Sequence, residues 1–99
     1  MRKTIHSTDY KRFLRLLRQE REAAGLTQAE LARRLGETQS FVSKCERGER
    51  RIDVVEARAF CQAMSVEFRR FIAKFDAAAS GRSGSRIVAR PQKPAKKRS

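Results

Sequence analysis

The chain has one histidine, His6, and two cysteines, Cys45 and Cys61, which do not form a C-x-x-C pair. A metal centre or a catalytic triad therefore has no set of partner side chains to draw on, so neither enzymatic activity nor a cofactor is expected. Both cysteines fall on predicted apolar helix faces, where a reduced thiol acts as a small hydrophobe. No apolar run approaches the ~20 residues of a spanning helix, and no signal-peptide core stands at the start, so the expected location is the cytoplasm, at the nucleoid, with no membrane partner. Acidic side chains are scarce as well. Eleven Asp and Glu face 24 Lys and Arg, a net charge of +13. Such a field attracts polyanions and speeds encounter with them, but says nothing of sequence preference.

Ninety-nine residues allow one domain with a limited core, a situation that subunit pairing would relieve. The charge is unevenly placed: residues 80–99 hold seven basic and no acidic side chains, leaving 17 basic against 11 acidic, or +6, for residues 1–79. The expected organisation is a flexible basic arm over 1–6, a folded domain over 7–79 and a disordered basic tail over 80–99. In that tail Gly, Ser, Pro and cations replace every core signal except Ile87 and Val88, a composition suited to lying along phosphates or to simple solubilisation.

The centre of the chain, residues 27–48, reads as two short helices joined by a tight turn. Thr27 followed by Glu30 is a capping box, Leu31, Ala32 and Leu35 recur at helical spacing, and Gly36 stops the first helix. Thr38 caps a second helix that Gly48 ends. At about 100° per residue, Thr38, Val42 and Cys45 share one small face, while Gln39, Ser40, Ser43, Lys44 and Arg47 share the other. That second face holds only hydrogen-bonding and cationic groups. It suits a helix in a DNA major groove, where amides, hydroxyls and cations read base edges and phosphates repel carboxylates; it also suits a solvated surface.

Three further helices follow from the same signals. Ser7 or Thr8 can cap the first, with Asp9 in its first turn; over 10–24 its stripe of Tyr10, Phe13, Leu14, Leu17 and Arg21 reads as core, with Gly25 as its stop and Leu26 packed ahead of Thr27. Asp53 with Glu56 repeats the capping box for a helix carrying Val54, Val55, Ala57, Ala59, Phe60, Cys61 and Met64, expected to be the most buried of the set. Ser65 is expected to cap the last helix, 66–79. Three phenylalanines in eight residues exceed what a small monomer easily hides, so Phe68, Phe71, Ile72 and Phe75 are expected to form a dimer contact; completion of the monomer core is the alternative.

Leu26-Thr27-Gln28-Ala29-Glu30-Leu31-Ala32, then Leu35-Gly36, then Ser40-x-Val42-Ser43-x-x-Glu46-x-Gly48 resembles the helix-turn-helix of the Cro and phage-repressor, or XRE, family, with the likeness running over roughly residues 13–75. The resemblance implies an all-α, five-helix lambda-repressor-like domain that binds double-stranded DNA. It implies that Gln28, with Thr27 and the amides of that helix N-terminus, holds a backbone phosphate. Gln39 would read a base directly, a glutamine being able to bond adenine N6 and N7, with Ser40, Ser43 and Lys44 next along the groove. Phe41 lies at the edge between core and groove, and either meets a thymine methyl or the sugar backbone or is partly buried beside Cys45. Arg47, Arg50 and Arg51 would meet phosphates and supply affinity more than specificity. Glu46 turns toward the core, to pair internally with a group such as an arginine of the first helix, and Gly48 is the C-cap. The sequence departs from the family pattern at Cys45, where a larger apolar residue is usual, and in the basic tail.

The expected function is a sequence-specific transcriptional regulator, a repressor by occupancy, that binds an inverted-repeat operator as a homodimer with recognition helices about 34 Å apart. Two alternatives belong to other classes. One is an antitoxin that neutralises a toxin protein partner and represses its own operon. The other is an accessory nucleic-acid binder without sequence preference.

Overall fold

A computed structural model describes residues 7–80; the arm over 1–6 and the tail over 81–99 lie outside the described residues. The described chain is five helices and their connections: α1 (Thr8–Ala23), α2 (Gln28–Leu35), α3 (Gln39–Glu46), α4 (Val54–Ala63) and α5 (Phe68–Ala79). None of the described helices is long and apolar enough to cross a membrane.

Local chemistry sets most of the boundaries. Ser7 caps α1, accepting from the Tyr10 amide at 3.0 Å. The Thr27 hydroxyl accepts from the Glu30 amide at 3.0 Å while the Glu30 carboxylate accepts from the Thr27 amide at 2.8 Å. Those bonds to the Thr27 backbone and hydroxyl hold the Glu30 carboxyl below its ordinary pKa. Asp53 and Glu56 make the same reciprocal pair at the head of α4. Thr38 caps α3 through the Phe41 amide at 3.1 Å. Between α2 and α3 the chain reverses in three residues, which requires Gly36 in the left-handed region at φ 72°.

Three boundaries differ from expectation. Arg47 rather than Gly48 is the C-cap of α3, and Gly48 follows it at φ 80°. Ser65 does not cap α5; it closes α4 at φ 62°, where the Val66 amide bonds the Cys61 carbonyl at 2.8 Å and the Ser65 amide the Gln62 carbonyl at 3.1 Å. Its backbone is thus taken up by the turn that ends α4. Consequently α5 starts later than expected, at Phe68, with Glu67 at its N-cap and no side-chain capping bond.

The core is built from one face of each helix, with Leu17, Leu31, Val42, Cys45, Phe60, Cys61 and Phe71 almost wholly enclosed. Burial raises both thiols, that of Cys61 to about 11, so at neutral pH they are protonated apolar filler. As expected, α4 has the largest share of enclosed residues, with Ala57, Phe60 and Cys61 inward, but Val54 and Val55 in its first turn are 65% and 73% exposed. A core this small covers one face of a helix that is apolar on most sides. The expectation that fails is Phe71 as a dimer contact. Phe71 has no exposed surface and meets the Phe13 ring edge-on at a 5.8 Å centroid distance, so it belongs to the monomer core. Phe75 is half-buried against the same Phe13 ring, at 6.1 Å, and Phe68 is half-buried against the core; of the four, Ile72 alone is exposed, at 40%.

Candidate nucleic-acid interface

The α2–α3 unit carries a polar surface, and the way it is held explains which groups remain outward. Gln39, Ser40, Lys44 and Arg47 are exposed and Ser43 is half-exposed, all on the side of α3 opposite the enclosed Val42 and Cys45. Glu46, the only carboxylate within α3, is turned inward. Its side chain is 6% exposed and that of Arg21, from α1, is 10% exposed. Arg21 Nε donates to Glu46 Oε2 at 2.6 Å and Arg21 Nη2 donates to Oε1 at 3.1 Å, a two-point pair that fixes the guanidinium plane. Arg21 Nη1 also donates to the Leu26 carbonyl at 2.8 Å, which ties the entry to α2 into the same group.

Outward from that pair the bonds continue. Gln28 Nε2 donates to Glu46 Oε1 at 2.9 Å, and Gln39 Nε2 makes a long contact to Gln28 Oε1 at 3.5 Å. A buried ion pair thus orients Gln28, and Gln28 steadies the exposed Gln39 amide at the tip of α3. A side chain held before binding loses less rotamer entropy on binding, which favours Gln39 as a reader of base edges. Thr27 sits at the head of α2 with its hydroxyl engaged in capping.

The turn after α3 is more occupied than the sequence suggested. Arg47 donates through Nε and Nη2 to the Glu49 carboxylate at 2.9 and 3.0 Å, and its Nη1 donates to Ser43 Oγ. Arg50 donates from Nη1 and Nη2 to the Glu56 carboxylate at 3.0 and 2.9 Å, and its Nη1 also donates to the Arg51 carbonyl. These bonds lower the Glu49 and Glu56 carboxyls and raise the Arg47 and Arg50 guanidiniums from their ordinary values. The Arg50 guanidinium lies over the Phe41 ring at 4.8 Å, and Phe41 in turn leans on Phe60 at 6.3 Å between centroids. Phe41 is therefore half-buried between core and cation, the inward of the two placements open to it. Arg51 stacks over Tyr10 at 5.7 Å, and the Tyr10 hydroxyl accepts from the Ile52 amide at 2.9 Å, which pins the turn to α1. Lys44 makes no ion pair among the described residues.

The sequence points Glu46 toward an unspecified arginine of the first helix; the structure makes it Arg21, and an arginine inside the apolar stripe of α1 is the signal that could have found it. Sequence reasoning missed Glu49 and Glu56 as partners of the turn arginines, although Glu49 lies two residues from Arg47.

This arrangement can be set beside known proteins. The helix-turn-helix family model matches residues 17–71, more than half of the chain. An XRE-family like protein from Pseudomonas syringae pv. tomato str. DC3000, of known structure, is 48% identical at a TM-score of 0.70, over 76% of this chain and 92% of that one. The clp gene regulator ClgR from C. glutamicum shares the fold at a TM-score of 0.64 and 19% identity, over 74% of this chain and 95% of that one. No curated protein sequence matches the chain. With the α2–turn–α3 unit, its Thr27–Glu30 capping box and the outward polar face of α3 in place, the chain belongs to the XRE family of helix-turn-helix DNA-binding proteins.

Proposed function

We propose that the protein is a transcription regulator of the cytoplasm that reads duplex DNA by sequence, by setting α3 into the major groove and, as a dimer, occupying an inverted repeat. One observation carries this reading: the face of α3 bearing Gln39, Ser40, Ser43, Lys44 and Arg47 is open, while the single carboxylate of the helix is buried against Arg21. Gln39 reads a base, Ser40, Ser43 and Lys44 follow along the groove, and Gln28 with the α2 amides, joined by Thr27, meets a phosphate. Arg47, Arg50 and Arg51 approach phosphates by exchanging or sharing their present partners. Occupancy of an operator needed by polymerase makes the effect repression. In a selection from random duplexes, Gln39→Ala should reduce discrimination at one base pair of each half-site by about 1–3 kcal/mol. An unchanged preferred sequence sinks the assignment of that side chain. Competition with random duplex at ~150 mM salt separates base reading from attraction by charge alone, since the latter largely vanishes there.

Pairing is best supported along α4 and α5. Val54, Val55 and Ile72 are the exposed large apolar side chains of the described residues. Arg58, one turn beyond Val54 and Val55, lines the same open depression as Val66, Glu67, Phe68, Arg69 and Ile72. Both signs of charge stand on its rim, and no ion pair links Glu67 with Arg58 or Arg69 within the chain, so two copies about a two-fold axis can pair them reciprocally. Val55→Lys should keep the helical spectrum of the parent, because the side chain is 73% exposed, yet give monomer in sedimentation. A persistent dimer would refute this contact.

A further inference from the structure

Arg47 and Glu49 flank Gly48 at the end of the recognition helix, and all three nitrogens of the Arg47 guanidinium already have acceptors on the protein: two on the Glu49 carboxylate and one on Ser43 Oγ. Arg47 and Glu49 are both exposed, with side chains 53% and 54% accessible, so this is not a pair hidden in the core. It lies on the outward face of α3, beside Ser43. Lys44, one turn before Gly48, also acts through space on the Glu49 carboxyl, so Glu49 is a carboxylate set among cations on the side of the domain otherwise suited to a polyanion.

We infer that Glu49 is a specificity-determining residue: it holds Arg47 against Ser43 and competes with DNA phosphates for that guanidinium. The inference rests on the DNA-reading function proposed above. Binding without sequence preference comes almost entirely from cations neutralising phosphates. A cation that must first give up or share its partner carboxylate contributes less to that term. On the correct sequence, base contacts by Gln39, Ser43 and Lys44 add to affinity, and Arg47 kept beside Ser43 fixes the hydroxyl that takes part in them. Glu49 therefore weakens binding to random duplex more than binding to the operator. An exposed carboxylate suits this role, because surface pairs are weak enough to exchange.

The test is Glu49→Gln in the full chain, with dissociation constants measured against the best selected duplex and a random duplex at several salt concentrations. The expected result is tighter binding to random duplex by about 5- to 10-fold near 150 mM salt, with its log–log salt slope steeper by about one phosphate, and a gain of less than about two-fold on the selected duplex. In an Arg47→Ala background the same change should tighten random-duplex binding far less, since only the pull of Glu49 on Lys44 and its repulsion of phosphate are then relieved. Equal tightening on both duplexes, an unchanged slope, or a full effect persisting without Arg47 would each overturn the inference. The random-duplex arm needs no operator, and an unchanged affinity there overturns the inference by itself, whereas a selection that yields no preferred sequence defeats the proposed base reading instead.

Discussion

Glu46→Ala should destabilise the domain by about 3–5 kcal/mol, because it leaves the Arg21 guanidinium buried without its counter-charge. Small domains are stable by only about 5–15 kcal/mol in total, so a large part of the folded population is at risk. Two features set this pair apart from the surface pairs of the same molecule: both side chains are almost enclosed, and the carboxylate is shared with Gln28. The exposed Arg18–Glu22 pair, by contrast, belongs to a class worth at most about 1 kcal/mol. Urea denaturation measures the difference directly. Replacing both partners, as Arg21→Met with Glu46→Leu, should recover much of the loss, since no charge is then left in the interior. The double variant should nevertheless bind DNA with less discrimination, because Gln28 loses its acceptor and Gln39 its support. A loss below about 1 kcal/mol for Glu46→Ala would mean that the pair is solvated like those on the surface, and the orienting role assigned to it would fall.

Phe71→Ala should cost about 3–5 kcal/mol, and Phe71→Glu should yield an unfolded chain rather than a soluble monomer. The ring has no exposed surface and packs edge-on to Phe13, joining α5 to α1. Removing it opens a cavity that these two helices cannot close without shifting. A carboxylate at the same place loses its hydration inside the apolar core. Ile72→Ser, one residue on but 40% exposed, should lower stability far less and act on association instead. Circular dichroism with sedimentation on both variants checks the contrast. A Phe71→Glu protein that keeps its helical spectrum and differs only in mass would return Phe71 to the subunit contact and contradict the packing described here.

Sequence was a partial guide to the Arg21–Glu46 pair. The likeness to the family turns Glu46 inward toward an arginine of the first helix, and Arg21 is out of place in an apolar stripe, but that the two meet is seen only in the fold. Phe71 is different. Nothing in the spacing of Phe68, Phe71 and Phe75 tells which ring is wholly covered, because that depends on where Phe13 of another helix arrives. Ser65 failed for a related reason: a serine ahead of an apolar run is a capping signal, but here its backbone is already committed to closing α4.

What could be determined from the residues alone was local: the capping boxes at Thr27 and Asp53, the left-handed turn at Gly36, and a polar face of α3 opposite Val42 and Cys45. These arise between side chains and amides a few positions apart, so neighbouring letters are enough to specify them. The exposure of Val54 and Val55, the enclosure of Phe71 and the capture of Arg47 and Arg50 by Glu49 and Glu56 were decided by the folded arrangement. A small core has fewer places than the chain has apolar side chains, and a guanidinium pairs with whichever carboxylate the fold brings within reach. Both outcomes depend on how whole helices and their connecting turns come to rest against one another, which no local pattern encodes.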